Sequence, residues 1–181
     1  MSKNQVKIWS IYGTVAIILL GTILHYFYPW FGENNVLGAF VPVNESVWEH
    51  LKLAYWALVL FSLPEYFQIK PQVNNYFLAK FVGIILFESS ILLIFYTYTA
   101  FIESPILWID ISSFAVGTIF CQLVVFKLYA AQPVPKIYEL IAGFGFVSIG
   151  ILFAYFTYFP PHWDIFMDGN DMTYGIFKIP Y

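Results

Sequence analysis

Asn44-Glu45-Ser46-Val47-Trp48-Glu49-His50-Leu51-Lys52 opens an apolar run that continues to Phe67. Ionisable side chains crowd the mouth of a segment that is otherwise hydrocarbon, so the stretch reads as the start of a membrane-crossing helix with chemistry at its end. On a helix, Glu45 and Glu49 stand four apart, as do Ser46 and His50, which puts two carboxylates and an imidazole on roughly one side of the first two turns. Two carboxylates at that spacing repel unless a proton, a lysine or a metal lies between them.

The rest of the chain agrees with a bilayer as solvent. Of its 181 residues 60% are hydrophobic, 22% aromatic and only 10% charged, and the mean hydropathy is +0.73. Water-soluble domains carry roughly 25% charged residues, and a chain so far below that lacks the polar surface to face water. Eight lysines, no arginine and eleven acids give a net charge of −3, which supplies no basic patch for a phosphate backbone and excludes nucleic acid as a partner. The single cysteine, Cys121, forms no internal disulfide.

Apolar runs long enough to cross a hydrocarbon core, about 20 residues, are expected at about 8–28, 46–67, 76–101, 105–129 and 136–159. Prolines 64, 71, 105, 133, 135, 160 and 161 mark the exits and entries. The first run ends in Leu24-His25-Tyr26-Phe27-Tyr28-Pro29-Trp30, an aromatic belt rather than a cleavage site, so it is read as a retained helix. The expected architecture is one all-α domain over 1–181, a polytopic bundle of five transmembrane helices followed by an aromatic tail at 160–181 that folds back as a lid.

Lysine placement orients it. Lys3, Lys7, Lys70, Lys80, Lys127 and Lys136 fall on the amino-terminal side of the five-span arrangement, which makes that side cytoplasmic and the C-terminus extracytoplasmic. The other side receives most of the acids and all three histidines.

One outer vestibule is therefore expected to gather His25, Glu45, Glu49, His50, Lys52, Asp110, His162 and Asp164. Histidines and carboxylates are the ligands zinc takes, with an open position when the site is catalytic. The expected ligands are His25, His50, His162 and Asp164. Glu49 is cast as general base, with Glu45 and Ser46 beside it in the catalytic set. Glu88 lies near the middle of the third run, where a carboxylate costs about 2.5–3.5 kcal/mol on insertion scales, and Lys52 is its expected partner in a polar cluster with Asp110. The leading expectation is a zinc-dependent hydrolase acting on a lipid or amphipathic substrate. The alternatives are a ligand-binding or proton-coupled transport protein, and a membrane partner subunit.

Simpler readings stand beside these. Ser46-x-x-Glu49 matches a capping box. His25 and His162 both sit among aromatic residues suited to an interface. Glu103 reads as a solvated loop charge, and Glu65 and Glu139 as charges at the cytoplasmic interface. Asp168-Gly169-Asn170-Asp171 has the oxygen ligands of a calcium loop without the EF-hand positions or a closing glutamate.

Val43 to Lys52, and Asp168 to Tyr174-Gly175-Ile176, resemble a family of small multi-pass membrane proteins found mainly in Gram-positive bacteria and carrying a domain-of-unknown-function label. The likeness covers most of the chain. It implies a bacterial cytoplasmic-membrane protein and brings no activity with it. As chemistry alone, His25, His50, His162, Asp164 and Ser46 are similar to the zinc-binding residue types of the alkaline ceramidases and adiponectin receptors. Those are seven-helix proteins with paired histidines in the last helix, which this chain lacks.

Overall fold

The computed structural model describes residues 3–102 and 104–180; Glu103 lies outside them. Six α-helices follow one another: α1 (Lys3–Trp30), α2 (Asn35–Gly38), α3 (Val47–Ile69), α4 (Tyr76–Ile102), α5 (Leu107–Ala130) and α6 (Lys136–Tyr158). Single 3-10 turns lie at Lys70–Gln72 and Asp164–Phe166. The tail adds one antiparallel pair, β1 (Thr173–Tyr174) with β2 (Ile179–Pro180).

Local chemistry explains the helix starts. Ser46 precedes α3 and its hydroxyl accepts from Glu49 N at 3.3 Å, while Asn34 caps α2 by accepting from Val36 N and Leu37 N. The start of α4 is capped from a distance: the Glu139 carboxylate on α6 accepts from Phe77 N at 2.9 Å. Asn75 ties the same end to the α5–α6 loop, donating to Leu128 O and Gln132 O and accepting from Val134 N. Glu139 is thus a helix cap as well as an interface charge.

Among the described residues, four helices are long and apolar enough to cross a membrane: Asn4–His25, Tyr76–Ile102, Leu107–Ala130 and Lys136–Tyr158. The remaining expected span, α3, has 23 residues but carries Glu49, Lys52 and Glu65, which lower its hydropathy. Its place in the bundle accounts for them. α3 packs against α1, α4 and α6, and Leu51 to Tyr55 are buried without a break, which is the pattern of a helix enclosed on most sides. The outer helices show the reverse: Leu93 is 71% exposed and Phe144 78%. Polar groups inside and large apolar groups outside suit a lipid solvent.

The tail returns over one end of the bundle, the end that holds the C-terminus of α1 and the N-terminus of α3. Ile176 N donates to Thr157 O at 2.9 Å, and Tyr174 is fully buried. Gly175 permits this approach. Its φ is +64°, and a Cβ there would lie 2.7 Å from Thr157 O.

Candidate functional site

The stretch from Asn44 to Lys52 divides into two faces. Glu49 and Lys52, one turn apart, point inward and are 2% and 0% exposed. Their side chains pair at 2.5 Å. Lys52 Nζ also donates to Gly38 O and to Thr157 Oγ1, both at 2.7 Å, so the three protons of the ammonium meet three acceptors. Glu49 accepts from Val43 N at 3.0 Å and from Thr157 Oγ1 at 3.2 Å. This knot joins the loop before α3 to α3 and α6, and it leaves the Glu49 carboxylate no room to serve as a base. Ser46 is committed to its cap. Ser46 N bonds Asn44 Oδ1 at 3.0 Å rather than Glu49, so only half of the expected capping box forms.

The opposite face carries Glu45 and His50. Glu45 stands between two imidazoles, with His25 Nε2 at 3.7 Å from Oε1 and His50 Nε2 at 3.6 Å from Oε2. The two rings lie 5.6 Å apart. His50 Nδ1 is 2.9 Å from Ser46 O; a carbonyl only accepts, so Nδ1 carries the proton and Nε2 is the nitrogen presented to Glu45. Beside this trio a cleft of about 340 Å³ is lined by residues that include His25, Tyr26, Tyr28, Glu33, Glu45 and Lys178. Lys178, from the tail, is its one lysine.

The other expected members lie elsewhere. His162 stacks on Tyr174 with ring centroids 4.6 Å apart, and Asp164 begins the 3-10 turn of the tail. Among the described residues, no group of three or more His, Cys, Asp or Glu side chains is arranged to hold a metal ion. His25, His50, His162 and Asp164 therefore do not fit the expected zinc site. Asp110 accepts from the Tyr98 hydroxyl at 2.7 Å, tying α5 to α4. Glu88 does not pair with Lys52, because the nearer Glu49 and Thr157 satisfy that ammonium; its Oε1 is buried without a hydrogen-bond partner. The Asp168–Asp171 stretch is explained by turn chemistry. Asp168 Oδ1 accepts from Asn170 N at 2.8 Å, and Asp171 Oδ1 from the Thr173 hydroxyl at 2.6 Å, which holds the exposed Asp171 carboxyl below its ordinary pKa.

Reading the sequence missed a second buried ion pair at the far end of α3. Glu65 and Lys80 pair directly, and both are buried. The Tyr76 hydroxyl donates to Ser62 O and lies 3.3 Å from Glu65 Oε2. Lys80 Nζ sits 5.5–5.8 Å from the ring centroids of Phe61, Tyr76 and Tyr129. Glu65 is therefore interior, not an interface charge. A signal was present: 65 and 80 are equally far from the middle of the 70–75 connection, and residues so placed on an antiparallel helix pair lie at one level.

A model described as a family of unknown function, DUF6512, matches residues 1–176. The chain belongs to that family. No curated protein and no solved structure matches it. In this DUF6512 member the α3 entrance presents two faces, the Glu49–Lys52 pair inward and the His25–Glu45–His50 trio toward the cleft.

Proposed function

We propose that this DUF6512 chain is an integral protein of the bacterial cytoplasmic membrane, with five spans, a cytoplasmic N-terminus and an extracytoplasmic C-terminus. Its outward cleft binds the polar head of an amphipathic ligand, and occupancy is set by protonation of His25 and His50. α3 serves as the fifth span because its charges are paired inside the bundle rather than shown to lipid.

The observation that carries this reading is the Glu45 carboxylate held between two imidazoles at the lip of a mixed-charge cleft. With both rings neutral, Glu33 and Glu45 outnumber Lys178 by one charge. With both protonated, the formal balance changes sign. Protonating the imidazoles adds positive charge at the lip, so the cleft favours an anionic head when the rings are charged and a cationic head when they are neutral. Tyr26 and Tyr28 in its wall suit a ligand seated at the membrane interface.

The hydrolytic alternative has weaker support. The residues cast as base and as neighbouring hydroxyl, Glu49 and Ser46, are buried and fully engaged. The test uses dodecyl phosphate and dodecyltrimethylammonium with the purified protein in nanodiscs. Dodecyl phosphate should bind more tightly at about pH 5 than at about pH 8, by on the order of tenfold, equivalent to ~1.4 kcal/mol. The ammonium probe, whose charge is fixed over this range, should show the opposite trend, and a His25→Gln/His50→Gln double variant should flatten it. Equal affinities at the two pH values would remove the proposal.

A further inference from the structure

Two charged residues at the cleft stand where the backbone favours glycine. Glu33 has φ +55° and Lys178 φ +49°, a left-handed conformation uncommon for residues with a Cβ and easy for glycine. Glu33 closes the end of α1, its N–H donating to Tyr28 O at 3.0 Å, and Lys178 closes the loop between β1 and β2, its N–H donating to Gly175 O at 3.4 Å. Helix ends and tight hairpin loops commonly fill such positions with Gly or Asn. Among the described residues two other side chains share this backbone state. Asn75 is of a type that tolerates it, and Met172 belongs to the turn after Asp168. Glu33 and Lys178 are the charged ones, and both line the same cleft.

Both side chains are exposed and uncommitted. Among the described residues neither forms a side-chain hydrogen bond or an ion pair, with each other or with a third group. Glu33 acts on Tyr28, and Lys178 on Asp171, only through longer-range charge. The other carboxylate of the cleft is occupied, since Glu45 lies between the His25 and His50 rings. One free anion and one free cation therefore face a cavity of about 340 Å³, a volume at the small end of ligand sites. Tyr26 in the same wall stacks on Trp30 with ring centroids 5.6 Å apart, which fixes an aromatic face of the kind that attracts ammonium groups.

We infer that the cleft takes a zwitterionic head, a phosphodiester joined to an ammonium, with the phosphodiester at Lys178 and the ammonium at Glu33. The inference rests on the proposed reading of the cleft as a head-binding site and names the head. A purely anionic head would face the free Glu33 carboxylate, and a purely cationic one the free Lys178 ammonium. A head with both charges meets the complement of each. The phosphodiester oxygens accept from Lys178, and the ligand ammonium is held by the Glu33 carboxylate, both charge-assisted contacts. Charge on the His25 and His50 rings then strengthens the hold on the phosphodiester, in keeping with the trend proposed for an anionic head. The left-handed backbone fits the same contacts, because glycine would relax both turns and carry no charge into the cleft.

Three probes with one dodecyl chain isolate the head: dodecylphosphocholine, methyl dodecyl phosphate and dodecyltrimethylammonium, each titrated into the purified protein in dodecylmaltoside, whose own head is uncharged. The pH is held at one value, so histidine titration does not enter. Dodecylphosphocholine should bind about fivefold more tightly than either single-charge probe, the upper range for one exposed ion pair. Glu33→Gly should abolish its advantage over methyl dodecyl phosphate, and Lys178→Gly its advantage over dodecyltrimethylammonium, while both variants keep the wild-type thermal midpoint because glycine suits the positive φ. Affinity lost with the fold intact is what a purely structural role would not give, and Glu33→Gln and Lys178→Gln provide the same readout should a glycine variant be unstable. Glycerophosphocholine separates the sources: competition at equal concentration supports the head assignment with a soluble ligand, and competition only far above it supports the assignment with a lipid. Equal binding of the three probes, or unchanged dodecylphosphocholine binding in the Glu33 and Lys178 variants, would overturn the assignment and leave the pH-dependent head site standing. Absence of binding by any of the three would overturn both.

Discussion

At the scale of single residues, the α3 entrance separates structural from ligand-facing chemistry by helix face. Lys52 and Glu49 are enclosed and saturated with partners. Removing one partner strands the other's charge, and breaking a buried pair in this way costs about 3–5 kcal/mol. Lys52→Met and Glu49→Gln should each lower the thermal midpoint of the detergent-solubilised protein strongly, while the double variant should be more stable than either single one. Additive losses would show that the two side chains act separately. Glu45→Gln, half-exposed at the cleft, should leave the midpoint nearly unchanged and alter only the pH dependence of binding. The contrast between Glu49 and Glu45 was only partly legible in the sequence. Their spacing marked a polar cluster, but the partner that turns Glu49 inward, Thr157, lies 108 positions away, and no local pattern announces it. The residues expected to hold zinc stay apart for a related reason. Topology brings all three histidines to one end of the bundle, yet His162 is taken up by its stack on Tyr174.

At the scale of elements, α3 and the tail carry the argument. The five apolar runs were legible from length and proline boundaries, and the helices agree with them to within a few residues at most ends. The burial of α3 was less so, because its charges lower its hydropathy and only the folded bundle shows that they are paired. The tail was expected to fold back, and it does. Trp48 on α3 packs against Phe153 and Phe156 of α6 and Phe166 of the tail, while Ile176 approaches Gly38, whose carbonyl receives Lys52. The tail thereby covers the Lys52 knot and delivers Lys178 to the cleft. Gly175→Val meets both a positive φ and Thr157 O, a strain of about 1–3 kcal/mol. That variant should release the tail, read as faster limited proteolysis beyond Pro161, and should weaken dodecyl phosphate binding. Unchanged proteolysis would contradict the tail's placement. Asp171 supplies a pH control. Its folded pKa is depressed by Thr173, so its contribution to the tail is fully present above the unfolded value, about 3.9, and is lost only as the pH falls through the folded one. Changes in binding between about pH 5 and 8 therefore do not come from Asp171.

At the scale of the whole molecule, polar side chains are concentrated along α3 and at the cleft, while apolar side chains face outward from the other long helices. The proposed orientation, with the cleft outside, rests on lysine placement, and the burial of Lys80 removes one of the six lysines from its support. The account depends on this orientation, because a cleft opening to the cytoplasm would meet neither an outer-leaflet ligand nor the pH of the exterior. Accessibility of two introduced cysteines in intact cells tests it most directly. Val36, in α2 beside the cleft, is 73% exposed, and Gln72, at the far end of α3, is exposed as well. The native Cys121 is buried and stays silent. The account predicts that a membrane-impermeant maleimide labels Val36→Cys in intact cells and labels Gln72→Cys only after the membrane is opened. Labelling of Gln72→Cys alone in intact cells would place the cleft on the cytoplasmic side and contradict the account.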